Sequence, residues 1–269
     1  MRRLVAALVV IALVGGGAAW AWEHVSGVVE ELVDEPQDCS VTVGETTATL
    51  SREQAHNAAL IAAVAVERGL PARAVTIAVA TAMQESKLHN IDYGDRDSIG
   101  LFQQRPSQGW GSVEQILDEE YSINAFYDAL LAHDFTTMEV TDAAQAVQRS
   151  AYPTAYAQHE AEARVLASAL TGWSPATLTC AETTLKDPDA DALVEAADTW
   201  FDSPATVRGK VVLVSPPGRR TGWALAHYLV VGADELGIRS VALRGQRWTA
   251  AGGWTRDGSG TEVLRVGLA

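Results

Sequence analysis

The chain has 269 residues, with 20 Lys plus Arg against 34 Asp plus Glu and a net charge of −14. That length can bury one large core or two modest ones. With that acidity nothing suggests nucleic acid as a partner, and electrostatic capture by anionic lipid or teichoic acid is argued against, because like charges repel. In chain order, Arg2 and Arg3 precede an uncharged run of 19 residues, Leu4 to Trp22. Residues 1–22 are thereby expected to form a transmembrane helix in the cytoplasmic membrane, with the arginines inside and Trp20 and Trp22 at the outer interface. Ala19-Trp20-Ala21 equally has the small-x-small form of a signal-peptide cleavage site. Either way the remainder is exported, as a single-pass extracytoplasmic protein or a secreted one. Residues 23–50 are acidic and weakly periodic and read as a stalk.

At Ser51 the pattern changes. Ser51 with Gln54 forms a capping box, and Ala59, Ala62, Ala63 and Val66 follow at helical spacing. Gly69 is a natural stop, and Pro71 opens a second helix to about Leu88. That helix is small and apolar nearly all round, so burial on most sides is expected. Ser112 with Gln115 is another capping box, Thr141 or Asp142 can cap AAQAVQRSAY, and a last helix runs from about Ala155 to Leu170. Residues 51–172 are expected to form a helical domain without strands. Residues 173–190 are rich in Ser, Thr, Pro and Asp and read as a linker. In 191–269, KVVLVS, IRSVALR and TEVLRVGLA read as strands and GWALAHYLVVGADELG as a helix, giving a small α/β domain. Cys39 and Cys180 lie on either side of the helical domain and show no ligand spacing. In an oxidising compartment, a bridge between them would close a long loop worth roughly 4–5 kcal/mol in the chain-entropy model. The six histidines show no metal spacing either, so no metal or other cofactor is expected.

The stretch Gln84-Glu85-Ser86 ends the apolar helix and is followed by an acidic loop and then by SIGLFQQ. Unpaired carbonyls at a helix end disfavour a carboxylate. Apolar neighbours such as Met83, Leu88, Leu101 and Phe102 act in the same direction by desolvation. Glycosidic cleavage needs such a proton donor. Glu85-Ser86 followed by Ser98-Ile99-Gly100-Leu101-Phe102-Gln103, with Glu85 and Gly100 15 residues apart, resembles the paired motifs of the lysozyme-like superfamily, specifically lytic transglycosylases and goose-type lysozymes. The resemblance spans residues 51–172. It implies a mainly α lysozyme-like domain, with Glu85 as catalytic acid and Ser86, Ser98, Gly100, Leu101, Phe102, Gln103 and Gln104 lining a glycan cleft. AAQAVQRSAYPTAY resembles the later family segment, which implies that Tyr152 or Tyr156 hydrogen-bonds Glu85 and that Gln148 faces the groove. Ser150-Ala151-Tyr152-Pro153 departs from the family's A-Y-N-x-G form.

The implied substrate is the β-1,4 bond between N-acetylmuramic acid and N-acetylglucosamine in peptidoglycan glycan strands. A lytic transglycosylase needs only Glu85, whereas a hydrolase needs a second carboxylate, for which Asp92, Asp95 and Asp97 are candidates. Tyr93, Phe102, Trp110, Tyr121 and Tyr127 are available for stacking on sugars. The C-terminal part resembles a DD-peptidase-like module of actinobacterial exported proteins, but its histidine and aspartate zinc ligands are missing, so it is expected to be non-catalytic. The competing expectation is a wall-binding or scaffold protein that keeps the lysozyme-like shape without cleaving.

Overall fold

The computed structural model describes residues 38–269 apart from 151, 153, 182, 183 and 259. The expected anchor or leader over 1–22, and residues 23–37 of the expected stalk, lie outside the described residues. Among the described residues no helix is long and apolar enough to cross a membrane.

Helix α1 (Arg52–Glu67) opens on Ser51, whose hydroxyl accepts the Gln54 N–H while the Gln54 side chain accepts the Ser51 N–H at 2.8 Å. The two reciprocal bonds satisfy donors that a helix start leaves unpaired. Helix α2 (Ala72–Ser86) follows Pro71, and every residue from Ala74 to Ala82 is buried. Alanines let neighbouring helices approach closely, and α2 is packed on chiefly by α1 and by three later elements. These are α5 (Val140–Gln148), a 3-10 turn (Ala155–His159) and α6 (Glu160–Leu170). Helix α3 (Val113–Leu117) carries the Ser112–Gln115 capping box, and Asp118 caps α4 (Glu119–Leu131) through the Tyr121 N–H at 2.9 Å. Two helix boundaries differ from expectation. Helix α5 starts at Val140 after Glu139, ahead of Thr141 and Asp142, and the expected helix from Ala155 splits into the 3-10 turn and α6.

The expected N-terminal transmembrane helix lies outside the described residues, but the rest of the expected architecture, a mainly α lysozyme-like domain with an appended small α/β domain, is corrected by them. They are mixed α/β with two antiparallel sheets and contain no membrane-spanning helix. Part of the expected stalk is the hairpin β1 (Cys39–Val43) and β2 (Thr46–Leu50), turning at Gly44 with φ 62°. Val41, Ala48 and Leu50 bury its inner face. The expected linker supplies β3 (Leu178–Cys180), which pairs with β1 so that Cys39 stands opposite Cys180, and the two form a disulfide.

Helix α7 (Ala190–Phe201) precedes the second sheet. Its strands are β4 (Ala205–Arg208), β5 (Val211–Val214), β6 (Ile238–Leu243), β7 (Gln246–Thr249), β8 (Gly253–Arg256) and β9 (Leu264–Leu268), in the order β4-β5-β9-β6-β7-β8. Helix α8 (Arg219–Val231) packs on β6 and also on α1, α6 and β3. The helical and α/β portions thus share one compact unit, Gln37 to Ala269. Strand β3 is the junction: Trp248 Nε1 donates to Thr179 Oγ1 at 3.0 Å and Trp254 Nε1 to the Leu178 carbonyl at 2.7 Å. Arg52 pairs with Asp234 at 3.3 Å across the same boundary. Gly172 fits because a Cβ there would lie 1.9 Å from the Arg220 carbonyl oxygen.

His227 on α8 is the buried polar link. Its Nδ1 donates to the Ala169 carbonyl at 2.8 Å and its Nε2 accepts the Thr177 N–H at 3.3 Å, the arrangement of a neutral ring. Burial pushes the imidazole down to about 4, only partly offset by the Ala169 bond. The unfolded ring, near 6.5, takes a proton first, so this contribution to stability is complete above about pH 6.5 and declines as pH falls towards 4. The loss is on the order of 3 kcal/mol. Denaturation midpoints of wild type and His227→Gln are expected to converge between pH 7 and 4.5; parallel curves would contradict this role.

The carboxyl at the end of helix α2

Two successive non-glycine residues in the left-handed region, Lys87 (φ 55°) and Leu88 (φ 63°), end α2. Such conformations cost energy and persist where neighbours over-determine them. Here α1 supplies the restraint: Gln54 Nε2 donates to the Lys87 carbonyl at 2.9 Å and the buried Asn57 Nδ2 to the Leu88 carbonyl at 2.7 Å. The Leu88 side chain is fully buried and anchors the turn. Sequence reading missed Asn57, whose signal was an asparagine among the alanines of the buried face of α1.

Glu85 sits in the last turn of α2, partly exposed, and Ser86 beside it is buried. The Ser86 hydroxyl lies 3.1 Å from the Ala82 carbonyl and 2.8 Å from that of Leu101, so it ties the helix end to the 98–104 segment. Gly100 is required there: its φ is 78°, and a Cβ would approach the Ile116 carbonyl oxygen to 2.9 Å. Ile99 and Gln104 form an isolated bridge that closes the turn. Leu101 and Phe102 point into the core, Phe102 stacking on Phe126 with centroids 4.4 Å apart. Gln103, with φ 48°, donates to the Tyr93 carbonyl at 3.2 Å. Gln104 is buried and donates to the Ser122 carbonyl at 3.1 Å, while Gln148 donates to the Phe102 carbonyl at 2.7 Å. Gln104 and Gln148 therefore hold the segment in place through its own or neighbouring backbone.

Of the two candidate tyrosines, Tyr156 reaches the carboxyl. Its Oη donates to Glu85 Oε1 at 2.7 Å, whereas Tyr152 is 76 % exposed. Glu85 Oε2 has no hydrogen-bond partner among the described residues. Burial, then the adjacent Glu85 charge, push the Tyr156 phenol well above its usual range, so it stays a donor. Ser150 adds a hydrogen bond to the same phenol. A second tie was not legible in the sequence: Gln84 Oε1 receives Gln158 Nε2 at 2.9 Å and lies 3.2 Å from His159 Nε2. It fixes the 3-10 turn carrying Tyr156 against the end of α2.

The three aspartates divide differently. Asp95 pairs with Arg105 at 2.9 Å, and Arg105 Nε also donates to Ser98 Oγ at 2.7 Å. Asp97 accepts the Ser107 N–H at 2.9 Å, and bonds from Ser107 hold its carboxyl below the usual range. Both thus fold the loop onto residues 105–107, and Asp92 is exposed. Of the aromatics, Phe102 and Tyr127 are core residues, Tyr93 and Tyr121 are exposed, and Trp110 packs partly against the core. Among the described residues no cluster of His, Cys, Asp and Glu is placed to hold a metal. A cavity of about 150 Å3 lies away from Glu85, where Pro216, Arg219 and Gly222 at the start of α8 meet Leu243, Arg244 and Glu262. No protein-family model and no curated protein matches this chain.

Proposed function

We propose that the chain is an exported peptidoglycan glycosidase that cleaves the bond between N-acetylmuramic acid and N-acetylglucosamine, working as a lytic transglycosylase. The hydrogen bond from Tyr156 to Glu85 Oε1 carries this reading. It joins two segments 71 residues apart and orients one carboxyl oxygen, leaving the other to exchange a proton with substrate. Glu85 protonates the glycosidic oxygen as the bond breaks. The same carboxylate then takes the proton of the muramyl C6 hydroxyl as it closes on C1, giving a 1,6-anhydro end. No second carboxylate is needed, which accords with Asp95 and Asp97 being engaged in holding their loop. The Cys39–Cys180 disulfide accords with export to an oxidising compartment. The glycan strand is the partner, the N-terminal segment tethers the chain to the cytoplasmic membrane, and the α/β portion serves without a catalytic metal.

The purified chain is expected to release soluble muropeptides from intact peptidoglycan. Tyr156→Phe should lower turnover roughly 10- to 100-fold with little change in KM, because a hydrogen bond to a charged group is lost while the side chains around it are unchanged. If wild type releases nothing from walls of varied chemistry, the non-cleaving wall-binding or scaffold reading replaces this one.

A further inference from the structure

Val212, Val214, Val241, Trp248, Leu264 and Val266 fill the core beneath the six-stranded sheet. Alternation turns the residues between them to the opposite face. Strand register aligns Thr206, Leu213, Arg265, Ala242, Arg247 and Thr255 side by side across all six strands. The adjacent row contains Arg208, Gly267 and Ser240, and Arg239 emerges at the bulge in β6. Arg208, Arg239, Arg247 and Arg265 are all exposed. Among the described residues none of them has a carboxylate partner. Neither row contains an acidic residue, a local reversal of sign in a chain of net charge −14.

Arg265 and Arg247 flank Ala242 directly, so their Cα atoms stand about 10 Å apart, two strand spacings. Arg247 donates to Ser240 Oγ at 3.3 Å, which lays its guanidinium along the sheet. The floor between the arginines is made of small residues, and a Cβ on Gly267 would come within 2.6 Å of Ser240 Oγ. Guanidinium forks at this spacing suit a row of oxyanions.

Although the net charge disfavours polyanions over the molecule as a whole, we propose that this face docks a linear polyol-phosphate polymer. Its phosphodiesters match the arginines, and neither row offers an aromatic ring on which a nucleobase could stack. Screening limits each charge to about 8 Å at physiological salt. A thin strand lying along the rows feels the arginines, whereas a broad anionic surface also meets the acidic remainder of the molecule. A phosphodiester chain also carries condensed counterions whose release favours binding, which a sparsely charged glycan strand lacks. This surface is independent of Glu85 and of the glycosidase reading.

The test is binding of poly(glycerol phosphate) to the full-length chain, followed by fluorescence anisotropy over a salt series. With three to four contacts, affinity should fall roughly 20- to 50-fold between 50 and 200 mM salt. Arg247→Gln/Arg265→Gln should weaken low-salt binding at least about tenfold and lower the log–log salt slope by about 1.4. Arg164→Gln/Arg219→Gln, which removes equal charge elsewhere, should leave both unchanged. Equal losses in the two double variants would overturn the proposal. So would failure to bind the polymer by a chain that binds phosphatidylglycerol vesicles through the same arginines.

Discussion

Glu85→Gln is expected to lower glycan-strand cleavage by at least about a thousandfold. One positioned proton transfer contributes roughly 10²–10⁴ in rate, and Glu85 serves as acid and then as base. The substitution preserves shape, since a glutamine carbonyl oxygen still accepts from Tyr156 Oη. The side chain is partly exposed, so its thermal midpoint should shift by no more than about 2 °C. Affinity for an intact strand should be nearly unchanged, so the loss appears in kcat. Glu85→Asp distinguishes position from charge. It keeps a carboxyl but withdraws it by one methylene, breaking the 2.7 Å contact with Tyr156, and should also be strongly impaired. Activity of Glu85→Gln close to that of wild type would remove Glu85 from the chemistry.

Removing the Cys39–Cys180 disulfide has the largest expected effect on stability. The bond joins residues 141 apart in sequence, and both cysteines are 2 % exposed between β1 and β3. In the chain-entropy model, closing a loop of that length is worth roughly 4–5 kcal/mol, a large fraction of the stability of an ordinary domain. Cys39→Ser/Cys180→Ser should therefore melt roughly 10–20 °C lower than the oxidised wild type, and reductant should bring the wild type to a similar midpoint. The bridge also fixes β3, which carries the tryptophan bonds from β7 and β8 and lies next to the Thr177 amide bound by His227. Loss of the disulfide should loosen the junction between the helical and α/β portions before α2 itself. Hydrogen exchange would show this as early opening of residues 177–180. Equal midpoints with and without the bond would mean that the sheet pairing alone restrains the two chain segments.

What was legible in the sequence was mostly local. Ser51 and Ser112 announce their helices because a capping box closes within four residues. The burial of α2 follows from alanine on nearly every side. The junction of Ser86 with the Gly100–Gln103 turn could be inferred because both halves carry recognisable residues at fixed spacing. The hairpin at 39–50 was overlooked although Val41, Val43 and Thr46–Leu50 alternate. Its third strand lies more than 120 residues later in a segment whose composition resembles a linker. Strands β7 and β8, four residues each, show no strand pattern of their own until pairing gives them a register. His227 gives no local signal of its role, because its partners Ala169 and Thr177 come from a distant part of the chain. The choice between Tyr152 and Tyr156 depended on a 3-10 turn that sequence periodicity does not distinguish from the start of α6.

The central claim is that one carboxyl, steadied by Tyr156, does both proton transfers without an activated water. Digesting intact peptidoglycan with the purified chain in heavy-oxygen water, followed by mass spectrometry of the soluble fragments, tests it most directly. The account predicts unlabelled, 1,6-anhydro-ended muropeptides from wild type and none from Glu85→Gln. Label at new reducing ends, or no soluble fragments from wild type, would contradict it.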